Sequence, residues 1–278
     1  MAVIDIAQFT KNYGKFTAVE NMNLTVEKGQ IVGFVGKNGA GKSTTIRSMV
    51  NVLTPTKGTI TINGLDAVKD AKKIKDFLSY MPGDAMFYGN VTCTELFKLC
   101  LSFSAAEMDE VTRLAAYFEL DLNKRIAALS LGNRKKVSII QALLKQGEII
   151  VMDEPTSGLD PLMQERFFDL IRKEKEKGTT VFLSSHNLSE IEKYCDQAVI
   201  IKDGKIVDIL TMSEVKLQRR QIVTYTTKDR KTERFVFDGE INDLMAQLAA
   251  LDLESVEIKA ETIEDEFIKY YKAGESNA

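Results

Sequence analysis

In the stretch IVGFVGKNGAGKST, Ile31 to Thr44, an apolar run stops abruptly in a glycine-rich turn and a helix begins. The spacing GxxxxGKS, at Gly36, Gly41, Lys42 and Ser43, is what a buried strand needs to turn sharply and offer successive backbone N–H groups to phosphate oxygens. Side chains at the glycines would block that approach. Asn38, Gly39 and Ala40 complete the loop, and Thr44 follows it in the first helical turn. Lys42 sits where its ammonium reaches the outer phosphates, Ser43 offers a hydroxyl to Mg²⁺, and the helix aims its positive end at the bound anion. A nucleoside triphosphate with Mg²⁺ is the first inference.

The bulk properties narrow the setting. A chain of 278 residues buries a sizeable core, as one large domain with an appendage or as two modest domains. The 37 basic and 40 acidic residues give a net charge of −3 without a long basic block, so nothing advertises a nucleic-acid groove. The short cluster Arg134 to Lys136 reads as a solvated helix face. Cys93, Cys100 and Cys195 are odd in number and lack CxxC spacing, which suits buried thiols in a reducing cytosol. The opening MAVIDIAQF lacks the basic-then-apolar signature of a signal peptide, so a cytoplasmic location is expected. No apolar run approaches the ~20 residues of a membrane-spanning helix. If the protein serves a membrane process, another subunit crosses the membrane.

Along the chain, VIDIAQF, FTAVENMNLTVE and IVGFV read as strands, Ser43 to Val50 as a helix, TITING as a strand and Asp70 to Phe77 as a short charged helix. From Met86 to Leu129 the pattern changes to helical periods, which predicts an inserted helical subdomain over about 86–140. β/α alternation resumes at Leu131, with the buried strand EIIVMDE, a helix from Met163 to Lys177, the strand TTVFLSSH, a helix from Leu188 to Cys195, and a hairpin about Asp203-Gly204. Apolar, unalternating strands between helices predict a parallel sheet covered on both faces. The expected architecture is therefore α/β: a P-loop nucleotidase core with a mostly parallel sheet and an N-terminal antiparallel β subdomain over 1–213. A small α+β appendage of βαβα order over 214–278 closes the chain, its last helix capped by Thr262 with Asp265 three residues on.

Four apolar residues deliver Asp153 and Glu154 to the end of a buried strand. Ligands of open parallel sheets bind outside the carboxyl ends of the strands, where the phosphate loop also lies. Asp153 is thus placed to hold Mg²⁺ through its water shell, and Glu154 to polarise a water for in-line attack on the terminal phosphate. His186, the single histidine, ends the next buried strand and converges on the same crevice, facing a γ-phosphate and the attacking water. Tyr13, taken alone, reads as an ordinary half-buried tyrosine at a strand end.

The set resembles the ATP-binding cassette (ABC) ATPases over about Ala2 to Leu210, in the order phosphate loop, helical insert, signature, Walker B strand, SGLD, histidine. The resemblance implies that two cassettes sandwich two ATP molecules, each phosphate loop facing the partner's signature. LSLGN, Leu129 to Asn133, matches that signature, so Ser130, the N–H of Gly132 and Asn133 would grip the other subunit's nucleotide. Ser157 to Asp160 matches the loop that crosses the dimer, and Tyr13 matches the aromatic that stacks on adenine. Where the family has a lid glutamine this chain has Gly83 followed by Asp84; glycine offers no side-chain ligand, and Asp84 is expected to take over the Mg²⁺ contact. A PGD lid with a GN signature is similar to the cassettes of bacitracin-type and antimicrobial-peptide exporters. The resemblance also implies that a helix from a membrane permease docks on the lid and insert. Met86, Phe87, Tyr88 and Phe97 are either its contact surface or the insert's own core.

A hydrolytic motor follows: ATP closes two cassettes, identical or not, and hydrolysis reopens them to work a separate permease from the inner face of the cell membrane. Soluble cassette ATPases of DNA repair or ribosomes carry a long coiled coil or two cassettes per chain, and this chain has neither. A P-loop kinase has no use for LSLGN or SGLD.

Overall fold

The computed structural model describes residues 1–84, 86, 87, 89–217 and 220–260. They belong to two compact units, Met1–Leu210 and one that begins at Thr211.

In the first unit, β1 (Ala2–Tyr13) and β2 (Phe16–Glu27) form a long antiparallel hairpin, β1 continuing past Phe9 to Tyr13. β3 (Ile31–Val35) leads into the phosphate loop and α1 (Lys42–Met49). The chain then returns through β4 (Lys57–Ile62), which pairs antiparallel with β1, and β5 (Leu65–Asp66). After α2 (Ala71–Phe77) comes β6 (Leu78–Met81), a strand that the sequence pattern did not assign. The helical insert holds α3 (Cys93–Leu101), α4 (Met108–Tyr117) and α5 (Leu131–Leu144). Its first helix starts at Cys93 rather than near Met86, because Thr92 and Glu95 form a capping box: the Thr92 side chain accepts from Glu95 N–H while Glu95 accepts from Thr92 N–H at 2.7 Å. The core resumes with β7 (Ile149–Met152), α6 (Pro161–Glu176), β8 (Thr180–Ser185), α7 (Leu188–Tyr194), β9 (Gln197–Lys202) and β10 (Lys205–Thr211).

Two sheets result: a four-stranded one in the order β2-β1-β4-β5, and a six-stranded one in the order β10-β9-β3-β8-β7-β6. Five strands of the larger sheet, β9, β3, β8, β7 and β6, run parallel. Every residue of β3, β7 and β8 is buried, which is why these strands read as apolar without alternation. β9 and β10 join through Asp203 and Gly204, both at positive φ as a two-residue hairpin turn requires. One continuous core, with Phe9, Met22, Phe34 and Phe182 at its centre, runs between the two sheets. Each such buried side chain contributes on the order of 1.5–3 kcal/mol.

In the second unit α8 (Met212–Leu217) is followed by β11 (Gln221–Thr227), β12 (Thr232–Phe237), α9 (Ile241–Ala249) and β13 (Leu253–Ala260). Its antiparallel sheet, ordered β12-β11-β13, packs on α9 through Val223, Leu244 and Leu248. The helix expected after Thr262 lies outside the described residues. Among the described residues no helix is long and apolar enough to cross a membrane.

Candidate functional site

Parallel pairing brings four strand ends side by side. Val35 is level with Ser185, Leu183 with Met152, and Met152 with Met81. The next residues along each strand are therefore neighbours: Gly36 of the loop, His186, Asp153 with Glu154, and Pro82 of the lid segment.

The loop fits a backbone-bound anion. A Cβ on Gly36 would stand 2.4 Å from the carbonyl oxygen of Ile201, and Gly41, at φ +108°, would place one 2.9 Å from that of Ala18. No side chain caps α1, whose N-terminal turn begins at Lys42 and holds Ser43 and Thr44, both half-buried. Its N–H groups stay available to a ligand. Asn38 and Gly39 are exposed at the loop's rim, whereas Ala40 is packed beneath it.

Lys42 is 5% exposed, its ammonium donating to the carbonyls of Gly36 (2.5 Å) and Lys37 (3.3 Å) and lying 3.3 Å from Glu154 Oε1. That oxygen is buried and accepts no hydrogen bond, the ammonium standing at ion-pair distance only. Glu154 Oε2 lies 2.7 Å from His186 Nδ1. A single carboxylate thus links the phosphate-loop lysine to the histidine. Glu154 adopts a left-handed backbone, φ +48°, which turns it away from the strand line. Its N–H donates to Ser184 Oγ (2.9 Å), and that hydroxyl donates to Asp153 Oδ1 (2.7 Å).

Asp153 is 2% exposed, and its second oxygen faces the lid: a Cβ on Gly83 would stand 3.3 Å from Oδ2. Asp84, next along, is exposed. A buried carboxylate with one oxygen left toward the lid, and a hydroxyl at Ser43, suit Mg²⁺, which takes one or two carboxylates together with substrate phosphates rather than an all-protein cage. Among the described residues no group of three or more His, Cys, Asp or Glu is arranged to hold a metal. Burial pushes the Tyr80 hydroxyl up, and the charge of Asp153 adds to it.

The basic cluster expected as a solvated helix face is not one. Arg134 is exposed, but Lys135 and Lys136 are buried, and Lys135 Nζ donates to the carbonyl of Gly83 at 3.0 Å. Burial pulls the Lys135 ammonium below the usual lysine range, while Asp153, Asp84 and Glu154 hold it up. The signature helix therefore ties the lid by a lysine, with no glutamine side chain in between.

Of the remaining predicted residues, Ser130 caps α5 by accepting from Asn133 N–H at 3.3 Å, and Asp160 caps α6 by accepting from Met163 N–H at 3.0 Å. Gly132 lies so close to Gly158 of SGLD that a Cβ would meet its carbonyl oxygen at 3.0 Å. Tyr13 is 46% exposed, opposite Phe16 at the hairpin end, and Lys11 Nζ stands 5.5 Å from its ring centre. Two and three residues beyond Phe16, Ala18 and Val19 lie against Gly41, which brings this hairpin end alongside the phosphate loop.

Sequence reading missed Ser184, Lys135 and a buried knot around Glu190. Glu190 accepts from Thr156 Oγ1 (2.8 Å), Ser185 Oγ (3.3 Å) and Asn187 Nδ2 (3.2 Å), joining the SGLD segment to the turn that bears His186. The signal was present in the two serines that end an otherwise apolar strand. A groove of about 560 Å³ between lid and insert is lined by Met86, Phe87, Leu99 and Phe103. Of the two alternatives left open for Phe97, insert core is the one found, since it is fully buried, and Tyr88 lies outside the described residues.

The family described as ABC transporter matches residues 19–157, half of the chain. The chain belongs to the ABC transporter family. It is an ATP-binding, ATP-hydrolysing ABC subunit, and it is similar to transport ATP-binding proteins. It is 29% identical to the bacitracin transport ATP-binding protein BcrA of Bacillus licheniformis over 98% of each chain. It is also 32% identical to the ABC-type transporter ATP-binding protein EcsA of Bacillus subtilis, over 78% of this chain and 91% of that one. Among solved structures it is similar to an ATP-binding subunit of an ABC transporter, with a TM-score of 0.71 at 29% identity, over 78% of this chain and 92% of that one. A dimeric post-hydrolysis ATP-binding cassette with ADP and Pi shares the fold, with a TM-score of 0.69 at 24% identity, over 75% of this chain and 98% of that one.

Proposed function

We propose that this ABC ATPase powers a separate membrane permease that exports antimicrobial or amphipathic peptides or antibiotics. In this reading two copies close on two ATP molecules, Tyr13 stacks on adenine, and Ser130, Gly132 and Asn133 grip the partner's nucleotide with Asp160 in the crossing loop. ATP phosphates rest on the loop from Gly36 to Thr44, with Lys42 on the outer ones. Ser43, Asp153 and Asp84 would hold Mg²⁺, which when bound neutralises charge on the outer phosphates. Glu154 accepts the proton of the attacking water, and His186, its Nδ1 beside the Glu154 carboxylate, faces the γ-phosphate and that water. The exporter assignment is supported by the full-length similarity to a bacitracin transport protein. The apolar groove of Met86, Phe87, Leu99 and Phe103 is the proposed seat of a permease helix, which would hold the subunit on the inner face of the membrane.

The observation that carries the catalytic reading is the chain Lys42–Glu154–His186, built from three neighbouring strand ends. Glu154→Gln tests it. Nucleotide affinity should stay within about threefold while phosphate release falls by about 10²–10⁴; a variant that turns over normally overturns the assigned base.

A further inference from the structure

Ser184 occupies a position that the reaction, as described, leaves without a role. It is fully buried on β8, beside Asp153 in the parallel register, and no other side chain bonds to both halves of the Asp153–Glu154 pair among the described residues. A hydroxyl has one proton to give. Because the Glu154 amide can only donate, the acceptance from it at 2.9 Å uses a lone pair of Oγ, and the proton goes to Asp153 Oδ1 at 2.7 Å. Both directions are therefore fixed by chemistry.

Each bond has a consequence. Committing Oδ1 to the serine stops the Asp153 carboxylate from rotating and leaves Oδ2 as the oxygen turned toward the lid, next to Gly83. Anchoring the Glu154 amide stabilises a left-handed backbone that is unfavourable for a residue other than glycine. That conformation aims the carboxylate at Lys42 and His186.

We infer that Ser184 is a positioning residue for ATP hydrolysis, its single hydroxyl setting the angle between the metal-facing oxygen of Asp153 and the water-facing carboxylate of Glu154. The inference rests on the proposed roles of Asp153 and Glu154. It separates Ser184 from ordinary strand packing, because a packing role depends on volume and this one depends on the hydroxyl.

The test uses the full chain with a non-hydrolysable ATP analogue, and Mn²⁺ in place of Mg²⁺ so that bound metal is read by electron paramagnetic resonance. Ser184→Ala should weaken Mn²⁺ binding in the ternary complex by about 10-fold or more and lower kcat by about 10–100-fold, the usual range for a group that orients a ligand. The KM for ATP should shift by less than about threefold. Ser184→Thr should retain Mn²⁺ affinity, while Ser184→Val, equal in volume and lacking the hydroxyl, should lose it. This pair decides the matter if the alanine variant folds poorly. Unchanged Mn²⁺ affinity in Ser184→Ala, or equal loss in the threonine and valine variants, overturns the inference. Asp153→Asn is the control: if it too leaves Mn²⁺ affinity unchanged, the reading of Asp153 as a metal ligand is what fails.

Discussion

The carboxylate of Glu154 is shared between two nitrogens: its Oε2 lies 2.7 Å from His186 Nδ1 and its Oε1 lies 3.3 Å from Lys42 Nζ. The two partners differ in exposure. Lys42 is held inside the loop by carbonyls and is 5% exposed, whereas the His186 side chain is 61% exposed at the mouth of the site.

This difference predicts a split between binding and turnover. Lys42→Ala should weaken ATP affinity by about 10-fold or more, since a charge-assisted contact to phosphate is worth roughly 1.5–3 kcal/mol. His186→Ala should leave affinity within about threefold and lower kcat by about 10²–10⁴. Fluorescent-nucleotide titration and phosphate release on the same preparations check both; equal loss of affinity in the two variants contradicts the division.

Gly36→Ala should fail by crowding, because the added methyl stands 2.4 Å from the Ile201 carbonyl oxygen and 2.9 Å from Ile201 Cγ2. A backbone atom yields little, so unfolding free energy should drop by about 1–3 kcal/mol, with loss of nucleotide binding. Urea denaturation measures this, and a fully stable, ATP-binding variant would show that the loop moves freely.

Much of this site is legible in the sequence because its parts are local. The phosphate loop, Asp153-Glu154 and His186 each follow a short apolar strand, and parallel pairing alone then brings them together. Contacts at long sequence separation are not legible. Lys135 reads as a surface lysine among Arg134 and Lys136, and its burial follows from a bond to Gly83 more than fifty residues away. β6 is only Leu78–Met81, with Ser79 and Tyr80 interrupting the apolar pattern, so its place at the sheet edge could not be read. The appendage reads in the sequence only as a small α+β unit of βαβα order, whereas its described residues run as the β11–β12 hairpin, α9 and β13.

Glu190 predicts a pH dependence. Burial pushes its carboxyl above the ordinary 4.5, against the pull of hydrogen bonds from Thr156, Ser185 and Asn187 and of the His186 charge. A raised folded value means that the folded chain holds this proton more readily than the unfolded chain. The group's contribution is therefore fully present below the unfolded value and is lost as pH rises through the folded one. The unfolding free energy of the parent minus that of Glu190→Gln should decline as pH is raised from 4.5 toward neutrality. Urea unfolding at a series of pH values gives the slope, and a difference that rises with pH would contradict the assignment.

The most direct test of the two-copy sandwich is the mass in solution of Glu154→Gln with and without MgATP. LSLGN and SGLD meet within one chain at Gly132 and Gly158, a shared surface at the start of the signature helix. The account predicts that MgATP converts monomer to dimer and that its removal reverses the change. A protein that binds MgATP and remains monomeric would contradict self-pairing.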